Sequence, residues 1–299
     1  MHFHTLPMSL SSHLQSREFM ESLPGISRDQ LRSHIFTHGA LWFDNHHEET
    51  DTIRKNCTSL GIGCDDNLIK EIQRHILLHY YEKLLPFSET PEQFKAYLIH
   101  RVKLPKEINV LKKSLGGKKG VLLAVCHFGA VELIGPCLAA QGIPFTGTLR
   151  FATGALSQAA RQKAKQLSES GLFAELQFIE IGAGPSAASL EMAAVLRRGG
   201  LLCAVFDEPA RLGVDVSLLD RRILGGSGLE KLVAFMNGAV TVVTAFMIRT
   251  EDETYELRLS ELESASEGLT QRMFGAFERE CLPMLPQWYF LHEDISFVT

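Results

Sequence analysis

A chain of 299 residues with 45% apolar side chains can bury one large core or two small ones. Its 30 basic and 35 acidic residues leave a net charge of −5, with no basic stripe and no run of like charge. That excludes a nucleic-acid footprint and a charged tail, and it gives no strong bulk attraction to an anionic membrane, although peripheral contact is left open. The six cysteines, at 57, 64, 126, 137, 203 and 281, are scattered. Such usage points to reduced thiols and a cytoplasmic protein, not to a disulfide framework.

Met1 to Gly25 holds no apolar run longer than a few residues, so neither a signal peptide nor a spanning helix is expected there. Residues 1–50 are polar and rich in histidine, which predicts a solvated, partly helical lead-in. His34 and His38 can share a helix face, yet no third ligand follows, and Cys57 and Cys64 lack zinc-ligand spacing. No metal is expected. From Asp66 a helix is signalled by Ile69, Ile72, Ile76, Tyr80 and Leu84 on one face, with Asp65 or Asp66 as cap and Pro86 as its end. Helices near Pro91 to Val102 and Pro105 to Leu115 complete a helical N-terminal region, 1–115, packed on a core of 116–299. Its apolar face can also roof a groove.

Lys118 to Thr250 alternates strands (near 121–125, 145–149, 176–181, 201–206 and 240–248) with helices (near 130–141, 155–170, 186–198 and 228–237). A hairpin is expected near 254–260. This is the pattern of an α/β fold, a mainly parallel sheet with helices on both faces, and without a linker it reads as one structural domain.

Within that pattern, His127 closes the apolar strand Val121 to Val125, Gly129 makes a tight turn, and Glu132 falls in the first turn of the next helix. Ligands of open α/β sheets bind at the carboxyl edge of the strands, where these residues lie. A carboxylate there can hold one imidazole nitrogen and leave the other to take a proton. Arg150 and Asp207 also close predicted strands at that edge, so both are candidates to line a site. Arg249 closes another strand, where a solvated strand end explains it as well. Trp288 and His292 read as packing.

In order along 50–295, the chain resembles the lysophospholipid acyltransferase superfamily, and in particular its lipid A late acyltransferase branch. The likeness lies in His127-Phe128-Gly129 with Glu132, where the branch carries His-Phe-Gly-Asn-Trp-Glu and this chain has Ala130-Val131 in place of Asn-Trp. It continues through Gly142-Ile143-Pro144 to Arg150, Leu196-Arg197-Arg198-Gly199-Gly200 to Asp207, Ala239 to Arg249, and Pro286-Gln287-Trp288-Tyr289-Phe290-Leu291-His292. The resemblance implies an acyltransferase without a cofactor, with acyl-CoA or an acyl carrier protein as donor. His127 would be the general base and Glu132 its orienting partner. Amides around Gly129 would serve as oxyanion site, and Arg150 and Asp207 would line the substrate site. The branch usually opens with a membrane anchor. Its lack in Met1 to Gly25, together with Ala130-Val131, implies a small-molecule or carrier-bound acceptor other than a lipid A precursor.

Two other readings stand beside this one. Ile181-Gly182-Ala183-Gly184-Pro185-Ser186-Ala187 fits a dinucleotide fingerprint, with Asp207 near the ribose-binding position; against it, three strand–helix units precede the motif and no second half follows. The fold can also serve as a non-catalytic acyl-binding protein. Hydrolase chemistry is weaker: Gly225-Gly226-Ser227-Gly228 lacks nucleophile-elbow spacing, and Cys126 points to the opposite face from His127.

Overall fold

The computed structural model describes residues 9–151, 153–181, 185–208, 213–251, 253–293 and 295–298. Residues 9–101 form six helices: α1 (Leu10–Leu14), α2 (Arg17–Ser22), α3 (Arg28–Asn45), α4 (His47–Ser59), α5 (Asp66–Ser88) and α6 (Pro91–Arg101). Asp65 caps α5 by accepting from the Leu68 amide at 2.8 Å, and Ser27 and Thr90 close capping boxes on α3 and α6. Residues 9–50 of the lead-in are not a solvated segment. Leu14 of α1 is fully buried, and so are Leu31 and Ile35 of α3, whose apolar residues recur every four positions and meet α5. Pro86 does not end α5 either. It sits in the last turn, where its missing N–H costs one bond and the helix runs on to Ser88.

The strand β1 (Val102–Lys103) and the short helix α7 (Ile108–Ser114) lead into the sheet core. There follow β2 (Gly120–Gly129), α8 (Ile134–Ala140), β3 (Phe145–Leu149), α9 (Gly154–Glu169), β4 (Leu176–Glu180), α10 (Pro185–Arg197) and β5 (Leu201–Val205). The sequence continues through β6 (Val214–Leu218), β7 (Arg221–Gly225), α11 (Gly228–Met236), β8 (Val240–Glu251), β9 (Thr254–Leu262) and α12 (Leu269–Cys281). Seven strands make one sheet in the order β1-β9-β8-β2-β5-β3-β4. Strands β8, β2, β5, β3 and β4 are mutually parallel, and β9 turns back antiparallel on β8. The fold is α/β with a mostly parallel sheet flanked by helices.

β2 is central and almost wholly buried, as a continuous apolar run in a parallel sheet should be. Phe128 and Phe206 point to one face and meet Phe277 and Phe274 of α12, with ring centroids 5.8 and 5.4 Å apart. The other face carries α8, α9 and the end of α5. Helical and sheet regions share one contiguous apolar core. The hairpin β6–β7 is a feature that the sequence pattern did not announce. Its two-residue turn uses Leu219 and Asp220, both at positive φ (52° and 57°), with no Asn or Gly to signal it. No helix among the described residues is long and apolar enough to cross a membrane.

Candidate active site

At the carboxyl end of β2 the register with β8 shifts between Val125 and Gly129. Gly129 takes φ +58°, and a Cβ there would lie 2.0 Å from the Met247 carbonyl oxygen, so only glycine permits this approach. The neighbouring strand β5 ends at Val205, and Phe206 still donates its amide to the Val125 carbonyl at 3.0 Å. One residue later, Asp207 turns its carboxylate back onto His127.

Asp207 Oδ2 accepts from the His127 amide at 2.9 Å, and Oδ1 lies 2.9 Å from His127 Nδ1. Trp288 Nε1 donates to Oδ2 at 3.0 Å. The Asp207 side chain is 1% exposed and that of His127 22%. A buried carboxylate accepting at Nδ1 puts the imidazole proton there. Nε2, without a hydrogen-bond partner among the described residues, is then the basic nitrogen. Phe290 packs edge-on against the imidazole at 4.6 Å. Burial opposes protonation of His127, but the Asp207 carboxylate outweighs it, with Glu132 and Glu208 adding. The result lies above the ordinary imidazole value.

Glu132 is not the partner of His127. The helix expected from Ala130 begins instead as a 3₁₀ turn, Val131–Leu133, before α8, and this turns the side chain toward α5. Its Oε1 lies 3.2 Å from Lys83 Nζ and 3.5 Å from His79 Nε2. His79 is buried; burial, with Lys83 beside it, holds its pKa well below the usual range, and its Nδ1 has no hydrogen-bond partner among the described residues. Glu132 therefore fixes Lys83 at the site while His127 is held from the other side.

Both His127 and Glu132 line a cavity of about 170 Å³, between the sheet and the layer of α5, α8 and α9. Its walls are mostly apolar, including Val125, Phe145, Leu149, Leu167 and Phe178. Arg150 is exposed on the cavity rim, with no ion-pair partner among the described residues. Gly129 does not line it. The neighbouring Ala130 amide donates to Met247 at 2.8 Å, so that amide is not free to hold an oxyanion.

Arg249, which a solvated strand end would explain, is 6% exposed. Its Nε and Nη2 donate to Glu82 at 2.7 and 2.6 Å, and Nη2 also donates to the Gly129 carbonyl at 2.8 Å. Nη1 reaches His75 Nδ1 at 3.3 Å. Gln287 ties down the backbone of Arg249 from both sides. Trp288 exceeds the packing role expected of it, because its indole N–H orients Asp207. Sequence reasoning missed Lys83, His79, Glu82 and Trp288 as parts of the site. Only the Gln287-Trp288 box carried a signal.

Gly182, Ala183 and Gly184 of the glycine motif lie outside the described residues. The Asp207 side chain is 1% exposed and turned onto His127 and Trp288, away from where a ribose could reach it. His34 and His38 stack their rings at 4.2 Å, and no three His, Cys, Asp or Glu side chains among the described residues are placed to hold a metal. Fold and site together define an α/β protein whose His–Asp pair opens onto an apolar cavity at the carboxyl edge of its sheet. The chain matches no protein-family model, and no curated protein matches it.

Proposed function

We propose that this protein is a soluble, cytoplasmic acyltransferase that moves an acyl group from a thioester, on coenzyme A or an acyl carrier protein, to a hydroxyl or amine. One observation carries the reading: an oriented imidazole, Nδ1 on a buried carboxylate, beside an apolar cavity. The likeness of the boxes around His127, Asp207 and Trp288 to lipid A acyltransferases supports it.

In the proposed reaction His127 Nε2 takes the acceptor proton as the acceptor oxygen or nitrogen attacks the thioester carbonyl. The tetrahedral intermediate collapses, the C–S bond breaks, and the imidazolium returns the proton to the leaving thiolate. Asp207 stabilises the imidazolium and holds the tautomer. Lys83, fixed by Glu132, supplies positive charge at the cavity for the developing oxyanion. Arg150, on the rim, binds an anionic part of donor or acceptor. The acceptor is a small molecule or carrier-bound group other than a lipid A precursor.

The test is thiol release from acyl-CoA and acyl-carrier donors with candidate acceptors, for the parent and for His127→Ala. General-base catalysis is typically worth about 10²–10⁴-fold, so the loss belongs in kcat with donor binding retained. Transfer by His127→Ala at the parent rate would remove the assignment.

A further inference from the structure

We infer that the cavity measures the acyl chain and accepts medium-length chains of about ten carbons, with the Phe145 ring as its stop. The inference rests on the acyltransferase reading and adds the substrate class. Successive side chains of a strand alternate between faces, so Phe145, Gly147 and Leu149 of β3 share the face of Val125 and His127. The cavity therefore runs down the strands, from His127 and Arg150 at the carboxyl edge to Phe145, Leu167 and Leu176 at the amino edge. From Leu149 to Phe145 is four residues of strand, about 13 Å. Carbon–carbon bonds of about 1.52 Å at about 111° advance roughly 1.25 Å each, so about ten fit in that depth. The volume agrees. An apolar cavity of about 150 Å³ takes a single benzene, and one of about 170 Å³ has room for one chain and not two.

Phe145 is held in place as a stop should be. A Cβ on Gly135 would lie 2.7 Å from its ring, and one on Gly147 would lie 2.9 Å away. The ring sits in a notch that two glycines leave open, one of them inside α8, where glycine is otherwise a poor choice. Bulk at either glycine drives the ring into the cavity.

Two measurements on the full chain test this. Calorimetric titration with saturated fatty acids of 4 to 16 carbons reads binding, and thiol release from the matching acyl-CoA series reads turnover. Each seated methylene strengthens binding up to about fourfold, so affinity should climb with length and break near ten carbons. Phe145→Ala should move the break up by about two to four carbons, on the same bond geometry. Gly135→Ala, which favours its helix, should move it down. It keeps the test alive if Phe145→Ala fails to fold. Affinity climbing smoothly to 16 carbons, or a break unmoved in both variants, overturns the inference. Binding by no chain length overturns it together with the acyl reading of the cavity. A break near ten carbons without thioester consumption supports the ruler and overturns the catalytic reading alone.

Discussion

Asp207 spends one oxygen on the His127 ring and the other on the His127 amide and the Trp288 indole, so it sets both where the imidazole lies and which nitrogen is basic. It is also the main reason the His127 pKa is raised against the pull of burial. In the proposed reaction the base must be neutral to act, so thioester transfer should rise with pH through a value above the ordinary imidazole pKa of about 6.5. In Asp207→Asn that acid limb should move to lower pH while kcat falls, because the remaining amide no longer stabilises the imidazolium. Glu132→Gln should shift the limb less, Glu132 being a smaller cause, and should lose rate through a loosened Lys83. A pH–rate profile in which Glu132→Gln shifts the limb more than Asp207→Asn would reverse the two roles. His127 was legible in the sequence because it closes an apolar strand. Its partner was not. A spacing of five residues suggests Glu132, whereas the true neighbour lies 80 positions away, joined only by the pairing of β2 with β5.

Among the elements, α5 and β8 are joined by a buried fork. Arg249 and Glu82 are both buried and doubly bonded, with Gly129 as a third partner. Removing one member leaves a buried charge unpaired, typically at about 3–5 kcal/mol, whereas replacing both with apolar residues is often near neutral. Arg249→Leu should therefore lower the urea midpoint strongly, and Glu82→Leu with Arg249→Leu should recover most of that loss. A single variant as stable as the parent would mean that water reaches the pair. The β6–β7 turn should respond in the opposite sense. Asp220 adopts the left-handed region, which costs a side chain of L configuration about 1 kcal/mol. Asp220→Gly should recover part of that, visible as a higher urea midpoint at unchanged slope. Strands β2 to β5 and β8 were legible because their apolar runs are bounded by turns. The hairpin was not, because Leu219 holds the first turn position and no glycine follows Asp220 to complete the usual two-residue signal. The burial of α3 was concealed by the many polar residues between its apolar positions.

For the whole molecule, acid should be the weakness. Burial holds His75 down to about 3 and His292 down to about 4, with His79 also well below its ordinary value. All three are neutral when folded and free to charge when unfolded. The unfolded state therefore binds more protons once pH falls below about 6.5, and stability is lost progressively from there toward 4. Each histidine contributes at most about 1.4 kcal/mol per pH unit. His127 works the other way: its raised pKa adds stability that is complete below about 6.5 and is lost as pH rises through its folded value. Urea titrations at pH 7, 6, 5 and 4 should show the midpoint falling at each step. A flat profile from 7 to 5 would mean that the three buried rings already carry protons when folded.

The carboxylate of Asp207 reads backbone and ring of the same histidine, so the reactive tautomer and the alignment of two central strands are a single event. A slip of β2 by one position would send His127 to the opposite face of the sheet, beyond reach of Asp207 and of the cavity. Molecules trapped in such a state would be compact and well stocked with secondary structure, yet inert. In a refolding experiment circular dichroism would count every chain that had collapsed, while regained turnover would count only those whose strands had found their proper alignment. The difference between the two yields measures misassembly of this sheet.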